Sequence, residues 1–282
     1  MGTATKDHYE EAIKSICNLH GNMAILSNLD ALLKDESSDL ADIEMLIQTD
    51  GSLTASILKM SNTAAFGFGS ECESISQAIQ TVGFGLALKL VSSALSKQLF
   101  MRDLSAYGIS SNDYWKYSYF TAIFMELQAK RIGLDHNEAY LLGLLHSIGR
   151  VVVNELLKEN KVEIYWDRFV SPSDWEIDTI GFSSERAGAL LLRSWDFSQE
   201  FYSKVERQCE PIEEVEDLML ILLDYARTLS THIEDPDTIN ELCSGDSHFF
   251  RKKIEQANED IISDIEIAEC YVDGIRETLK AC

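Results

Sequence analysis

The chain has 282 residues, 45% hydrophobic and 25% charged, which excludes disorder as its main description and leaves room for about two ordinary domains. It carries 47 Asp and Glu against 24 Lys and Arg, a net charge of −23, so nucleic-acid backbones and anionic membrane surfaces repel it. Its 3 prolines exclude collagen-like and PxxP-rich chains and permit long helices.

Helical spacing dominates from the start. Residues 9–34 place Ile13, Ile16, Cys17, Ile25, Leu26, Leu29, Leu32 and Leu33 three and four apart, with a break at Gly21-Asn22. Asp39 caps the next helix, whose stripe is Leu40, Ile43, Leu46 and Ile47. Asp50-Gly51 is a turn signal, and the helix of Leu53, Ile57, Leu58 and Met60 follows, ending at Ser61-Asn62. Phe66 to Ser70 forms a glycine-punctuated loop. Gly83-Phe84-Gly85 is expected to separate the helix of Ile75, Ala78, Ile79 and Val82 from that of Leu86, Leu90, Val91 and Leu95.

Residues 102–112 are polar and turn-rich and mark a boundary. Beyond it the pattern predicts a helix from Asp113 to Ile132, capped by Asn112 and stopped by Gly133. Helical spacing from Ala139 to Asn154 is interrupted at Gly149-Arg150. Further helices are expected over 183–194, 198–209 and 213–231, with one or two more over 238–281. No stretch alternates long enough for a strand, so the expected class is all-α. The GxG fragments at Gly67 and Gly83 lack the strand and the Lys-Ser/Thr of a phosphate loop and read as turns.

The longest apolar run, Leu218 to Leu223, is far short of the ~20 residues of a membrane span, and the first residues lack an apolar signal core. A cytoplasmic chain is expected, in contact with neither membrane nor nucleic acid. The six cysteines, at positions 17, 72, 209, 243, 270 and 282, form no CxxC pair and read as free thiols.

Four segments, in order, resemble the HDOD family, the HD-related output domain of bacterial signalling. They are Asp50 to Leu53 with Ile57 to Phe66; Ser74, Ile75, Ala78, Ile79 and Gly83; Trp115, Ser118 and Ala122 with Gly143 to Gly149; and Gly188 to Trp195. The first has Gly51 where the family usually has proline. The resemblance spans about residues 19–230. It implies an N-terminal helical bundle (1–102) joined to an HD-like helical half (103–232), leaving a C-terminal helical extension (233–282). Within these motifs Asn62, Phe66, Trp115 and Trp195 read as structural: Asn62 fastening a helix end to the following loop, the aromatic residues anchoring the core.

HD phosphohydrolases hold divalent metals with scattered His and Asp ligands. The resemblance places those positions at Tyr117, His146, Ser147, Ser184, Gln208, Cys209 and Asp224. Only His146 and Asp224 keep ligating types, too few to hold a catalytic ion. No metal and no cofactor are therefore expected. His146 and Asp224 are expected to face one another, the carboxylate raising the imidazole pKa and burial lowering it.

The resulting expectation is a non-catalytic regulatory module that acts through a protein partner. One alternative is a metal-dependent phosphohydrolase with atypical ligands. Another is a nucleotide or small-anion sensor using Arg186, Lys204 or Arg207. Residues 232–282, with 13 acidic side chains against 5 basic ones, read as a solvated helix face.

Overall fold

A computed structural model describes residues 23–62, 74–100, 102–159, 164–243, 250, 253 and 258–281. The expected helical stretch before residue 23 lies outside these residues, as does Phe66. Among the described residues all regular structure is helical, apart from one isolated bridge between Leu104 and Ile109.

The chain divides into two compact units. One comprises His20–Met101 with Cys270–Cys282. Its helices are α1 (Ala24–Lys34), α2 (Leu40–Gln48), α3 (Gly51–Ser61) and α4 (Ile75–Phe100), and the first three all pack on α4. Asp39 and Asp42 form a reciprocal capping box on α2. Asp50 is more than a turn residue: its carboxylate caps α3 by accepting from the amides of Ser52 and Leu53, and Gly51 is the first helical residue. At the other end Asn62 donates from Nδ2 to the Leu58 carbonyl, 3.0 Å away. The loop it was expected to fasten falls outside the described residues.

The expected break at Gly83-Phe84-Gly85 is absent. Helix α4 runs through it for 26 residues. A glycine inside a helix costs only about 1 kcal/mol, and the buried side chains on either side, Ile75, Ala78 and Ile79 before it and Leu88, Leu90, Val91 and Leu95 after it, outweigh that cost.

The other unit, among the described residues, lies within Arg102–Glu269. It contains α5 (Ser111–Ile132), α6 (His136–Leu145), α7 (Gly149–Glu159), α8 (Pro172–Ile180), α9 (Ser184–Ser194), α10 (Gln199–Arg207), α11 (Leu218–Thr231) and α12 (Pro236–Cys243). Helix α13 (Asn258–Ala281) has its residues through Glu269 in this unit and the remainder in the other. Ser110 rather than Asn112 caps α5, and Gly133 stops it in the left-handed region as expected. Helix α11 starts at Leu218, later than the periodicity suggested. Asp217 caps it, and Glu213-Glu214 sit in a short 3-10 turn.

Two glycines explain how the helices approach. A Cβ on Gly143 would lie 2.7 Å from the Ala122 backbone, so α5 and α6 touch main chain to main chain. A Cβ on Gly149 would lie 1.7 Å from the Ser184 carbonyl oxygen, so the start of α9 rests directly on the start of α7. Only glycine permits either contact. By length and composition the stretch His136–Glu159 resembles a membrane span, but it turns at His146 to Ile148 and is mostly buried in this unit.

Candidate functional site

The turn between α6 and α7 sets the site. His146 caps α6 through its amide, which donates to the Leu142 carbonyl, and the chain restarts at Gly149. This turn presents His146, Ser147 and Arg150. Helix α5 adds Tyr114, Tyr117 and Ser118 from one turn. Helix α11 adds Asp224, Arg227, Thr228 and Thr231, spaced three and four so that they share a face, together with Ser230. With Ile109 these residues enclose a cavity of about 230 Å³.

Its electrostatics are cationic for so acidic a chain. Arg227 is held from behind. One guanidinium nitrogen donates to the Gln208 carbonyl at 2.8 Å, and another lies 3.6 Å from Cys209 Sγ. Cys209 in turn donates to Glu185, whose second carboxylate oxygen accepts from Ser173. Arg150 lies over the Tyr107 ring, 5.7 Å from its centroid, and makes no salt bridge among the described residues. Tyr107 donates to Glu176 at 2.7 Å, and the amide of Ser184 donates to the same carboxylate. Burial raises the Glu176 pKa, and the hydrogen bonds from Tyr107 and Ser184 oppose that rise.

The hydroxyls divide into two groups. Thr228, Ser230 and Thr231 donate back to carbonyls of their own helix, and Tyr114 donates to the Ser147 carbonyl. Burial, followed by Asp113 and Glu234, raises the Tyr117 pKa, so its phenol stays protonated at neutral pH. Ser118 is 1% exposed, and its hydroxyl has no hydrogen-bond partner.

His146 Nδ1 lies 2.7 Å from the Gly143 carbonyl. A carbonyl only accepts, so Nδ1 carries the proton and the neutral ring keeps Nε2 as an acceptor. Burial first, then the Arg227 and Arg150 guanidiniums, hold the imidazole pKa down at about 3 against the opposing effect of the Gly143 bond. This corrects the expected electrostatics: His146 and Asp224 do line one cavity, but the charges that set the imidazole are guanidiniums, not the Asp224 carboxylate.

Of the seven positions carried over from the metalloenzymes, Tyr117, His146, Ser147 and Asp224 line the cavity. Gln208 lies behind it, donating from Nε2 to the carbonyls of His146 and Val205. Cys209 buttresses Arg227, and Ser184 is buried at the start of α9. Trp115 and Trp195 are buried, Trp115 against Tyr119.

The three basic residues proposed for anion contact do not line the cavity. Lys204 bonds Glu138 at 2.8 Å and Glu200 at 3.2 Å, Arg207 pairs with Glu210, and Arg186 is exposed on α9. The cations that do line it, Arg150 and Arg227, were missed. Arg150 directly follows the Gly143 to Gly149 motif, and Arg227 lies one helical turn beyond Asp224, so both stand beside residues already singled out.

The donor set does not fit a divalent metal. His146 Nε2 and the Asp224 carboxylate are two donors, and among the described residues no group of three or more His, Cys, Asp or Glu is placed to hold an ion. Catalytic centres use three or more protein ligands, and two guanidiniums on the same wall add repulsion.

A model of the HDOD domain matches residues 23–211. The fold is shared with solved structures. A HDOD domain protein of unknown function from Geobacter sulfurreducens aligns with a TM-score of 0.67 at 18% identity, over 96% of this chain and 99% of that one. A protein from Marinobacter aquaeolei VT8, provisionally named for signal transduction, aligns with a TM-score of 0.71 at 19% identity, over 96% of this chain and 64% of that one. An uncharacterized protein of Treponema pallidum (strain Nichols) is 28% identical over 180 residues, or 62% of this chain. The chain spans about a third of that relative's length, the match covering 34% of it.

Proposed function

The chain belongs to the HDOD family, and from that premise we propose that it is a regulatory module of a bacterial signalling system, acting by contact with another protein rather than by hydrolysis. The observation that carries this reading is the composition of the cavity. Arg150 and Arg227 stand among the positions that the resemblance assigns to metal ligands, and of those positions that line the cavity only His146 and Asp224 carry an imidazole or a carboxylate. A hydroxide-generating centre needs net positive charge from an ion held by several anionic or neutral donors. Here the positive charge is covalently part of the protein and cannot lower the pKa of a bound water in the same way.

The relative from Marinobacter aquaeolei is named, provisionally, for signal transduction, which agrees with a regulatory role. Exposed apolar side chains favour contact with a protein: Tyr165, Phe169 and Val170 before α8, and Ile177 within it, are from about half to nine-tenths exposed.

The reading is tested by assaying phosphodiester and phosphomonoester hydrolysis with Mn²⁺, in the chain as given and in a His146→Ala/Asp224→Asn variant. The expected result is no turnover above that of the double variant, together with stoichiometric co-purification of one defined host protein. Metal-dependent turnover abolished in the double variant would establish a hydrolase instead.

A further inference from the structure

The cavity holds more hydrogen-bonding and charge capacity than a protein-contact module requires. Arg150, which lies over the Tyr107 ring, makes no salt bridge among the described residues, in a chain whose carboxylates outnumber its cations almost two to one. Arg227 is fastened from behind, by the Gln208 carbonyl and the thiol of Cys209, so that its position is fixed before any ligand arrives. Ser118 keeps a buried hydroxyl with no partner on the same wall. Such a group destabilises the fold unless something meets it, and the neighbouring hydroxyls of Thr228, Ser230 and Thr231 have already committed their protons to α11. Two guanidiniums and a free hydroxyl donor are the complement of a tetrahedral oxyanion.

We infer that this cavity is a binding site for the phosphoryl group of a small molecule, held by Arg150, Arg227 and Ser118. This inference rests on the metal-free reading of the cavity given above. At about 230 Å³ the space is smaller than the ~300–1,000 Å³ of pockets for larger ligands, so the ligand is compact. Asp224 on the same wall repels a bare anion and accepts from a donor. A phosphomonoester carrying a hydroxyl beside its phosphate offers Asp224 a donor outside the charged group, whereas inorganic phosphate offers only its own P–OH. The His146 ring, with Nε2 as an acceptor, favours the same kind of partner.

The test is calorimetric titration of the whole chain in EDTA with two probes, inorganic phosphate and glycerol 1-phosphate, in three proteins: the parent chain, Arg150→Gln and Ser118→Ala. Saturable one-to-one binding is expected, tighter for glycerol 1-phosphate. Arg150→Gln should weaken it at least about tenfold and Ser118→Ala by about threefold or more. Because Ser118→Ala removes an unmet buried hydroxyl, it should melt no lower than the parent, so its lost affinity cannot be ascribed to unfolding. Tighter binding of phosphate than of the ester would still support the site and make free phosphate its ligand. No saturation with either probe up to about 10 mM, or affinities that neither variant moves, would overturn the inference. Binding that appears only when Mn²⁺ replaces EDTA would overturn the metal-free reading itself. Absence of binding together with absence of Mn²⁺ uptake would overturn the phosphoryl site alone.

Discussion

The two ends of helix α5 lie beside arginines that are treated in opposite ways. Near its C-terminus, Arg131 meets Asp264 through two nitrogens, at 2.7 and 2.8 Å, and reaches Asp260 as well, while Gln128 donates to Asp264 at 2.7 Å. Asp264 is 1% exposed and accepts all three bonds. Near its N-terminus, Ser118 is equally buried yet has no partner, and the cation that shares its cavity, Arg150, has no carboxylate. The first arrangement pairs its arginine with carboxylates of the chain and fastens α13 to α5, although the Gln128 Oε1 beside it is buried without a hydrogen-bond partner. The second leaves the Arg150 guanidinium without a salt bridge among the described residues, in a chain with a net charge of −23, beside a buried hydroxyl that has no partner. The two ends are thus told apart by whether the arginine has a carboxylate partner, as Arg131 does and Arg150 does not among the described residues.

The strongest way to break this contrast is at Gly149, which seats α9 on α7 beside Arg150. A Cβ there meets the Ser184 carbonyl at 1.7 Å, so Gly149→Ala should lower the unfolding free energy by about 3 kcal/mol or more, as the most severe overpacking does. Urea denaturation measures it.

Arg131→Gln should cost about 2–3 kcal/mol. It leaves Asp264 buried and short of its bidentate partner, but the arginine is 37% exposed, so the loss falls below that of a fully buried pair.

A third effect depends on pH. The His146 pKa in the fold lies far below its ordinary value of 6.5, so unfolding takes up a proton. Stability from this group is therefore fully present above pH 6.5 and is lost as pH falls from 6.5 toward 3. His146→Gln should remove about 1–2 kcal/mol of the stability lost between pH 7 and pH 5, read from urea midpoints at the two pH values.

The smallest effect is expected at Arg150. Arg150→Gln gives up a cation–π contact with Tyr107 and no salt bridge, and should change stability by less than about 1 kcal/mol. A change as large as that of Arg131→Gln would erase the distinction between the two ends of α5.

Much of this architecture was legible in the sequence because it is written in local chemistry. Asp39, Gly133 and Ser198 mark helix ends through hydrogen bonds and dihedral angles that involve only their neighbours. Gly83 and Gly85 misled because glycine weakens a helix without forbidding it, and the packing of α4 along its flanks decides the outcome.

The cavity positions Tyr117, His146, Ser147 and Asp224 were found through the family resemblance, which aligns positions rather than charges. Arg150 and Arg227 matter only because α7 and α11 meet at one cavity, and no spacing within the chain announces that meeting. Lys204 and Arg207 could have been set aside from sequence. Glu200 stands four residues before Lys204 and Glu210 three after Arg207, helical and near-helical spacings at which acid and base pair.

The most direct test of the account is a titration of Mn²⁺ into the chain, followed by the electron paramagnetic resonance of the free ion. With guanidiniums where a metal centre would need ligands, the free-ion signal should grow in proportion to the metal added, as it does in buffer. Suppression of that signal up to one equivalent, relieved by His146→Ala, would contradict it.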